Sequence, residues 1–115
     1  MSKVAVIGGG AGGMMAACIA AGNGHRVTLF EQNEKLGKKI YITGKGRCNL
    51  TNACDTEDLF AAIRKNEKFL YSAIYTFDNH ATMDYFERLG LKMKTERGNR
   101  VFPQSDHASD VIRVL

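Results

Sequence analysis

What this sequence lacks narrows it quickly. It has no apolar run long enough to cross a bilayer as a helix. It opens on no signal peptide, because glycines interrupt the first apolar stretch and an acidic strand end follows, so a cytoplasmic location is expected. Three cysteines, an odd number without short regular spacing, fit a reducing compartment and not a disulfide scaffold. Histidine is equally scarce: His25, His80 and His107 have no partner pattern that would build a metal centre or an acid–base pair. Proline occurs once, at Pro103, and internal repeats and low-complexity tracts are absent. What remains is 115 residues, 44 % apolar, enough for a single core and one domain at most.

The first thirty-one residues organise the rest. Val4-Ala5-Val6-Ile7 reads as a buried parallel strand that stops at Gly8-Gly9-Gly10-Ala11-Gly12-Gly13. A small, helix-friendly stretch from Met14 to Ala21 follows. Taken as G-x-G-x-x-G, the turn uses Gly8 for a tight exit from the strand. Gly10 leaves room for a diphosphate against the backbone, and Gly13 allows close packing of helix on strand. The phosphates would sit on unpaired N–H groups at the positive end of a helix. Ala17 is small enough to face the sheet. Gly24 and His25 make a turn, Val27-Thr28-Leu29-Phe30 is a second strand, and Glu31 closes it about 20 residues past the glycines, where an acid takes both ribose hydroxyls. A glycine-rich surface turn would explain the glycines, but not strand, turn, helix, strand and acid in order. Glu31 would repel a 2′-phosphate and no arginine follows it, so FAD or NAD is expected over NADP.

The net charge of +4 is modest, and much of it lies between Lys35 and Arg47, with Lys38, Lys39 and Lys45 and no intervening acid. Tyr41 is the one aromatic there, too few for a nucleic-acid groove, so no nucleic-acid partner is expected. The run fits a solvated face, or attraction of an anionic ligand beside the glycine turn. After the loop Gln32–Gly37, Ile40 and Ile42 alternate with Tyr41 and Thr43, which predicts a short extended piece. Gly44-Lys45-Gly46-Arg47-Cys48-Asn49-Leu50-Thr51-Asn52 then crowds hydrogen-bonding groups onto a flexible backbone, the make-up of a ligand loop or of a plain turn.

Further on, Asp55 or Thr56 predicts a helix start, and Leu59, Phe60, Ile63, Phe69, Leu70, Ala73, Ile74 and Phe77 supply an apolar stripe with a break near Asn66. Their aromatics are expected in the core. Asp78 or Asn79 starts another helix through Met83, Phe86 and Leu89, ended by Gly90, with His80 at the surface. Leu91, Met93 and Thr95 alternate with Lys92, Lys94 and Glu96 as a strand. Arg97-Gly98-Asn99 turns it into Arg100-Val101-Phe102, and Pro103 ends this hairpin at an edge. Ser105 fits an N-cap for a last helix carrying Ala108, Val111, Ile112 and Leu115 on one face.

The glycine turn, the Glu31 strand end and Gly37-Lys38-Lys39-Ile40 leading into Gly46-Arg47-Cys48-Asn49-Leu50-Thr51-Asn52 are joined by Gly98-Asn99-Arg100-Val101-Phe102-Pro103-Gln104-Ser105 and Ala108-Ser109-Asp110-Val111. Together they resemble the bacterial NAD(P)/FAD-dependent oxidoreductases of the aminoacetone-oxidase-like flavoprotein family, and the resemblance covers essentially the whole chain. It implies an α/β, Rossmann-like FAD-binding βαβ unit with following helices and a β-hairpin. Residues 1–115 would be the N-terminal part of the FAD domain of a larger two-domain flavoprotein, not catalytically complete alone. It further implies FAD as cofactor, NAD(P)H as a candidate electron donor in the full-length enzyme, a small-molecule substrate and a candidate homo-oligomer. The implied cofactor-binding set is Gly8, Gly10, Ala11, Gly12, Gly13, Glu31, Gln32, Lys39, Gly46, Arg47, Cys48, Asn49 and Thr51. No catalytic acid or base is named. Two alternatives stay open: a non-catalytic dinucleotide-binding module or remnant, and a dithiol flavoenzyme using Cys48 and Cys54. That pair has five residues between its cysteines, where dithiol flavoenzymes use four. Cys18, among Ala and Ile, is expected to be packing.

Overall fold

The apolar run at the start forms β1 (Lys3–Ile7), and the second run forms β2 (Arg26–Phe30). A computed structural model describes residues 1–115, and in it these strands pair in parallel, Lys3 opposite Arg26 and Ile7 opposite Phe30. Between them runs α1 (Ala11–Gly22), the helical crossover that a parallel pair requires. Val4, Val6, Val27 and Leu29 are half-buried on one side of the sheet, and Ala5, Ile7, Thr28 and Phe30 are exposed on the other. The chain is a Rossmann-like α/β unit, as its sequence implies.

After β2 the chain departs from one expectation. Residues 40–42 form a 3₁₀ turn and not an extended piece, and the backbone leaves helical geometry at Thr43, Gly44 and Lys45. Ile40 N donates to Gly37 O at 2.9 Å and Ile42 N to Lys39 O at 3.3 Å, closing tight turns. Ile40 enters the core at 9 % exposure while Ile42 stays at 75 %, so the two isoleucines never share a face.

The second half adds β3 (Thr51–Asn52), α2 (Thr56–Ala61), α3 (Tyr71–Thr76), α4 (Asn79–Arg88), β4 (Met93–Glu96), β5 (Arg100–Pro103) and α5 (Ala108–Val114). The hairpin β4–β5 is antiparallel, with Glu96 opposite Arg100. It gains a third strand, because β3 pairs Thr51 with Val101 and makes the order β3-β5-β4. Pro103 is therefore not at a sheet edge. It is the buried last residue of the central strand, beyond the reach of β3, where its missing N–H costs no ladder bond. Asp78 caps α4 by accepting from Ala81 N at 2.7 Å. Ser105 does not cap α5: His107 stands at that position, and Ser105 Oγ accepts from His107 N at 3.2 Å.

The core gathers Met14, Ile40, Cys48, Phe86, Leu91, Ala108 and Val111 from α1, the 3₁₀ segment and its loop, α4, the turn after it and α5. The aromatic stripe expected over residues 59–77 does not join it. α2 and α3 bury no residue, and Phe69 is 87 % exposed. Asn66 breaks the stripe in a left-handed conformation, leaving two six-residue helices too short to hold one face in register. Phe60, Tyr71 and Tyr75 stack on one another instead, with ring centres 4.9 to 5.3 Å apart. Only 13 of 115 residues are buried, so the molecule is loose for its length. Its radius of gyration, 14.9 Å, exceeds the roughly 13 Å of a compact chain this size.

One buried amide fastens the start of α4 to β3 and the residues just after it. Asn79, 4 % exposed, donates from Nδ2 to Asn52 O and Cys54 O, both at 2.7 Å. Asn79→Ala strands both carbonyls, and chemical denaturation is expected to show a loss of about 2 kcal/mol.

Candidate functional site

The glycine turn is shaped by steric needs at two positions. Gly8 has φ +98°, a value that favours glycine, and its N–H donates to Phe30 O at 2.8 Å. Gly13 lies so close to the strand end that a Cβ there would overlap Gly8 O and sit 2.9 Å from Gly8 C. Gly10 caps α1 in an extended conformation, and a Cβ on it would meet nothing within 4 Å. Met14 N makes the first helical bond, to Gly10 O at 2.9 Å, which leaves the N–H groups of Ala11, Gly12 and Gly13 without main-chain acceptors. No acid occupies this first turn to compete for them. The arrangement offers three amides and a helix dipole to an anion.

Glu31 points back at this turn. Its Oε1 accepts from Gly9 N at 2.8 Å and its Oε2 from Asn33 N at 2.7 Å. The Asn33 amide first, and the Gly9 amide second, hold its carboxyl below the usual value. A depressed carboxyl stabilises the fold above its unfolded-state pKa, and that contribution is lost as pH falls through the folded-state value. A Glu31→Gln variant should therefore melt below the parent at neutral pH. The gap should close on acidification beneath the ordinary carboxylate range. An open cleft of about 540 Å³ lies beside the acid, lined by Ile7, Gly8, Phe30, Glu31, Gln32 and Asn33.

The second cluster of candidate residues is tied to the first. Gly37 N donates to Gly9 O at 2.7 Å, so the segment leading to Lys39 starts at the glycine turn. Met14, Ile40 and Cys48 then share one buried cluster. Lys39 is exposed and makes no ion pair. The loop from Gly44 to Cys48 is unusual in its backbone: Gly44, Lys45, Gly46 and Cys48 have φ of +56°, +57°, +86° and +59°. For Lys45 and Cys48 such a conformation costs about 1–3 kcal/mol each and persists only under outside constraint. Asn49 Nδ2 donates to Thr51 O at 3.0 Å and Val101 O at 3.2 Å, joining the loop to β5.

Arg47 bonds to carboxylates of the protein itself. Its Nε donates to Asp106 Oδ1 at 2.8 Å and its Nη2 to Glu96 Oε2, and its guanidinium lies 3.9 Å from the Phe102 ring centre. Cys48 is buried, and burial pushes its thiol pKa up against a smaller opposing pull from the Thr43 hydroxyl. All three cysteines are free thiols, and Cys18 is half-buried with Sγ donating to Leu115 O at 3.1 Å. No group of three His, Cys, Asp or Glu is placed to hold a metal. No helix is long and apolar enough to cross a membrane.

Sequence reasoning missed Gly9 and Gly37, whose backbones join the turn to the loop, and Glu96, Asp106 and Lys94, which surround Arg47. A glycine between Gly8 and Gly10, where the pattern accepts any residue, was the signal for Gly9. Nothing local marks Glu96 and Asp106, which lie 49 and 59 positions from Arg47.

Comparison with known proteins identifies the family of this fold. The family described as HI0933-like protein Rossmann domain matches residues 2–115. The 3-dehydro-bile acid delta(4,6)-reductase of Clostridium scindens is 38 % identical over 117 residues, covering 100 % of this chain and 28 % of the relative. The ribosomal RNA dihydrouridine synthase of Haemophilus influenzae is 36 % identical over 114 residues, 99 % of this chain and 28 % of that protein. An N,N-dimethylglycine/sarcosine dehydrogenase from Chromohalobacter salexigens reaches 54 % identity, but over only 43 residues, 37 % of this chain and 6 % of the relative. The chain thus spans just over a quarter of the relatives that it matches along its whole length. It belongs to the HI0933-like family of Rossmann domains.

Proposed function

We propose that this chain is the FAD-binding N-terminal region of a flavin-dependent oxidoreductase, of the aminoacetone-oxidase-like type that its motifs resemble. The observation that carries the reading is the set of free amides at Ala11, Gly12 and Gly13, with open space over Gly10 and the Glu31 carboxylate beside them. The donors fit a diphosphate, and the 540 Å³ cleft at Glu31 and Gln32 fits an adenosine ribose. Lys39, exposed and outside every ion pair, offers a positive charge to an anionic ligand, and the segment carrying Gly46, Cys48, Asn49 and Thr51 would serve the flavin end. Bound FAD would supply the two-electron chemistry, while the protein orients and tunes it. Two relatives bear names that describe them as a reductase and a dehydrogenase, which supports the reaction class. A raised Cys48 pKa and a buried thiol disfavour the dithiol alternative, because exchange requires an accessible thiolate. The reading places the protein in the cytoplasm, with NAD(P)H as electron donor to the full-length enzyme.

The test is a titration of purified protein with FAD, FMN and NADP, followed by absorbance and fluorescence. FAD is expected to bind with a perturbed flavin spectrum and to outcompete FMN, which lacks the adenosine half. Glu31→Ala should weaken FAD about tenfold or more, the loss of at least one hydrogen bond to a charged group. Equal affinity for FMN and FAD, or an unchanged Kd in Glu31→Ala, would overturn the assignment.

A further inference from the structure

The left-handed loop at Gly44–Cys48 needs something outside itself to hold it, and one side chain in it makes the long-range connections. Arg47 reaches Asp106 in the turn before α5, Glu96 at the end of β4 and the Phe102 ring in β5. Lys94 Nζ meets the same two carboxylates, Asp106 at 2.7 Å and Glu96 at 3.2 Å. Two cations and two anions make a neutral quartet. A guanidinium balanced in this way, with one face against an aromatic ring, presents little net charge to an incoming diphosphate. Lys39 and Lys45, both exposed, take part in no ion pair.

We propose that Arg47 is a positioning residue: it bolts the left-handed loop to β4, β5 and the Asp106 turn, and it serves the nucleotide site through the loop without touching the ligand. Glu96 and Asp106 are its anchors, and Lys94, bonded to both, keeps them oriented. Cys48 follows Arg47 in the chain and is 5 % exposed, so its burial reports whether the bolt is closed. The inference rests on the FAD reading only where it concerns the ligand; the clamp itself is a property of the free protein.

The experiment uses the whole chain with Cys18→Ser and Cys54→Ser, leaving Cys48 as the one thiol, and measures its rate of reaction with an aromatic disulfide reagent. Arg47→Ala and Asp106→Asn should each raise that rate about tenfold by favouring local opening, with no matching fall in melting temperature. The double variant should react no faster than either single one, because both changes break the same link. Arg47→Lys, which keeps a cation for the same two carboxylates but loses the fork, should restore part of the protection. FAD affinity should fall with the same pattern across the variants. Unchanged labelling, or labelling that rises only in step with global melting, would overturn the clamp. So would an FAD affinity that falls in Arg47→Ala and not in Asp106→Asn, since that is the mark of a direct ligand contact. A parent protein that labels as expected and binds no flavin would support the clamp and sink the cofactor reading.

Discussion

Replacing Gly13 with alanine will destabilise the amino-terminal half of this protein and remove the proposed dinucleotide binding with it. The added methyl would overlap the Gly8 carbonyl, and both atoms it meets belong to backbone. No rotamer relieves a Cβ clash, so α1 must move off β1 by more than an ångström. Overpacking of well-fitted sites costs about 1–3 kcal/mol and occasionally more. A rigid carbonyl puts this site at the upper end, about 3 kcal/mol or beyond. In a domain of this length that corresponds to a drop of roughly 10 °C or more in melting temperature. Thermal melting by circular dichroism measures it directly. Gly12→Ala is the control, since a Cβ at Gly12 meets nothing within 4 Å. If Gly13→Ala melts with Gly12→Ala, the close packing of α1 on β1 is not what holds this unit together.

Gly10→Val separates binding from folding in the opposite way. Gly10 has φ −80° and ψ −169°, open to any residue, and space around its missing Cβ. The valine should therefore fold, at a cost below about 1 kcal/mol from the poorer cap. Its branched side chain would stand where the diphosphate is proposed to approach the amides of Ala11, Gly12 and Gly13. Losing two hydrogen bonds to a charged group costs about 3–6 kcal/mol, a hundredfold or greater loss of FAD affinity. The measurement is an FAD titration beside a melting curve. Normal affinity in Gly10→Val would move the phosphates elsewhere, whatever the fold does. The two substitutions lie three positions apart in one turn, and their opposed expected outcomes follow from which way each missing Cβ points.

Much of this was legible in the linear chain because its causes are local. A β-strand ends where glycines replace side chains, a helix starts where amides are left free, and Gly90 stops α4 with φ +90°. The β4–β5 hairpin announced itself by alternation and a turn. The longest misreading, the apolar stripe over residues 59–77, failed for a reason that periodicity does not carry. A stripe forms a core only if another surface lies against it, and Asn66 divides this one into two short helices that bury nothing.

The sequence by itself determined the βαβ unit, the position of its glycine turn and the acid aimed at that turn, because each depends on neighbours a few residues apart or on the fixed length of one crossover. Only the tertiary structure decided what Arg47 is for. A guanidinium has the same chemistry wherever it stands. Whether it meets a phosphate or two carboxylates depends on which distant strands the fold lays beside it, and here β4 and the turn before α5 bring Glu96 and Asp106 within hydrogen-bonding distance.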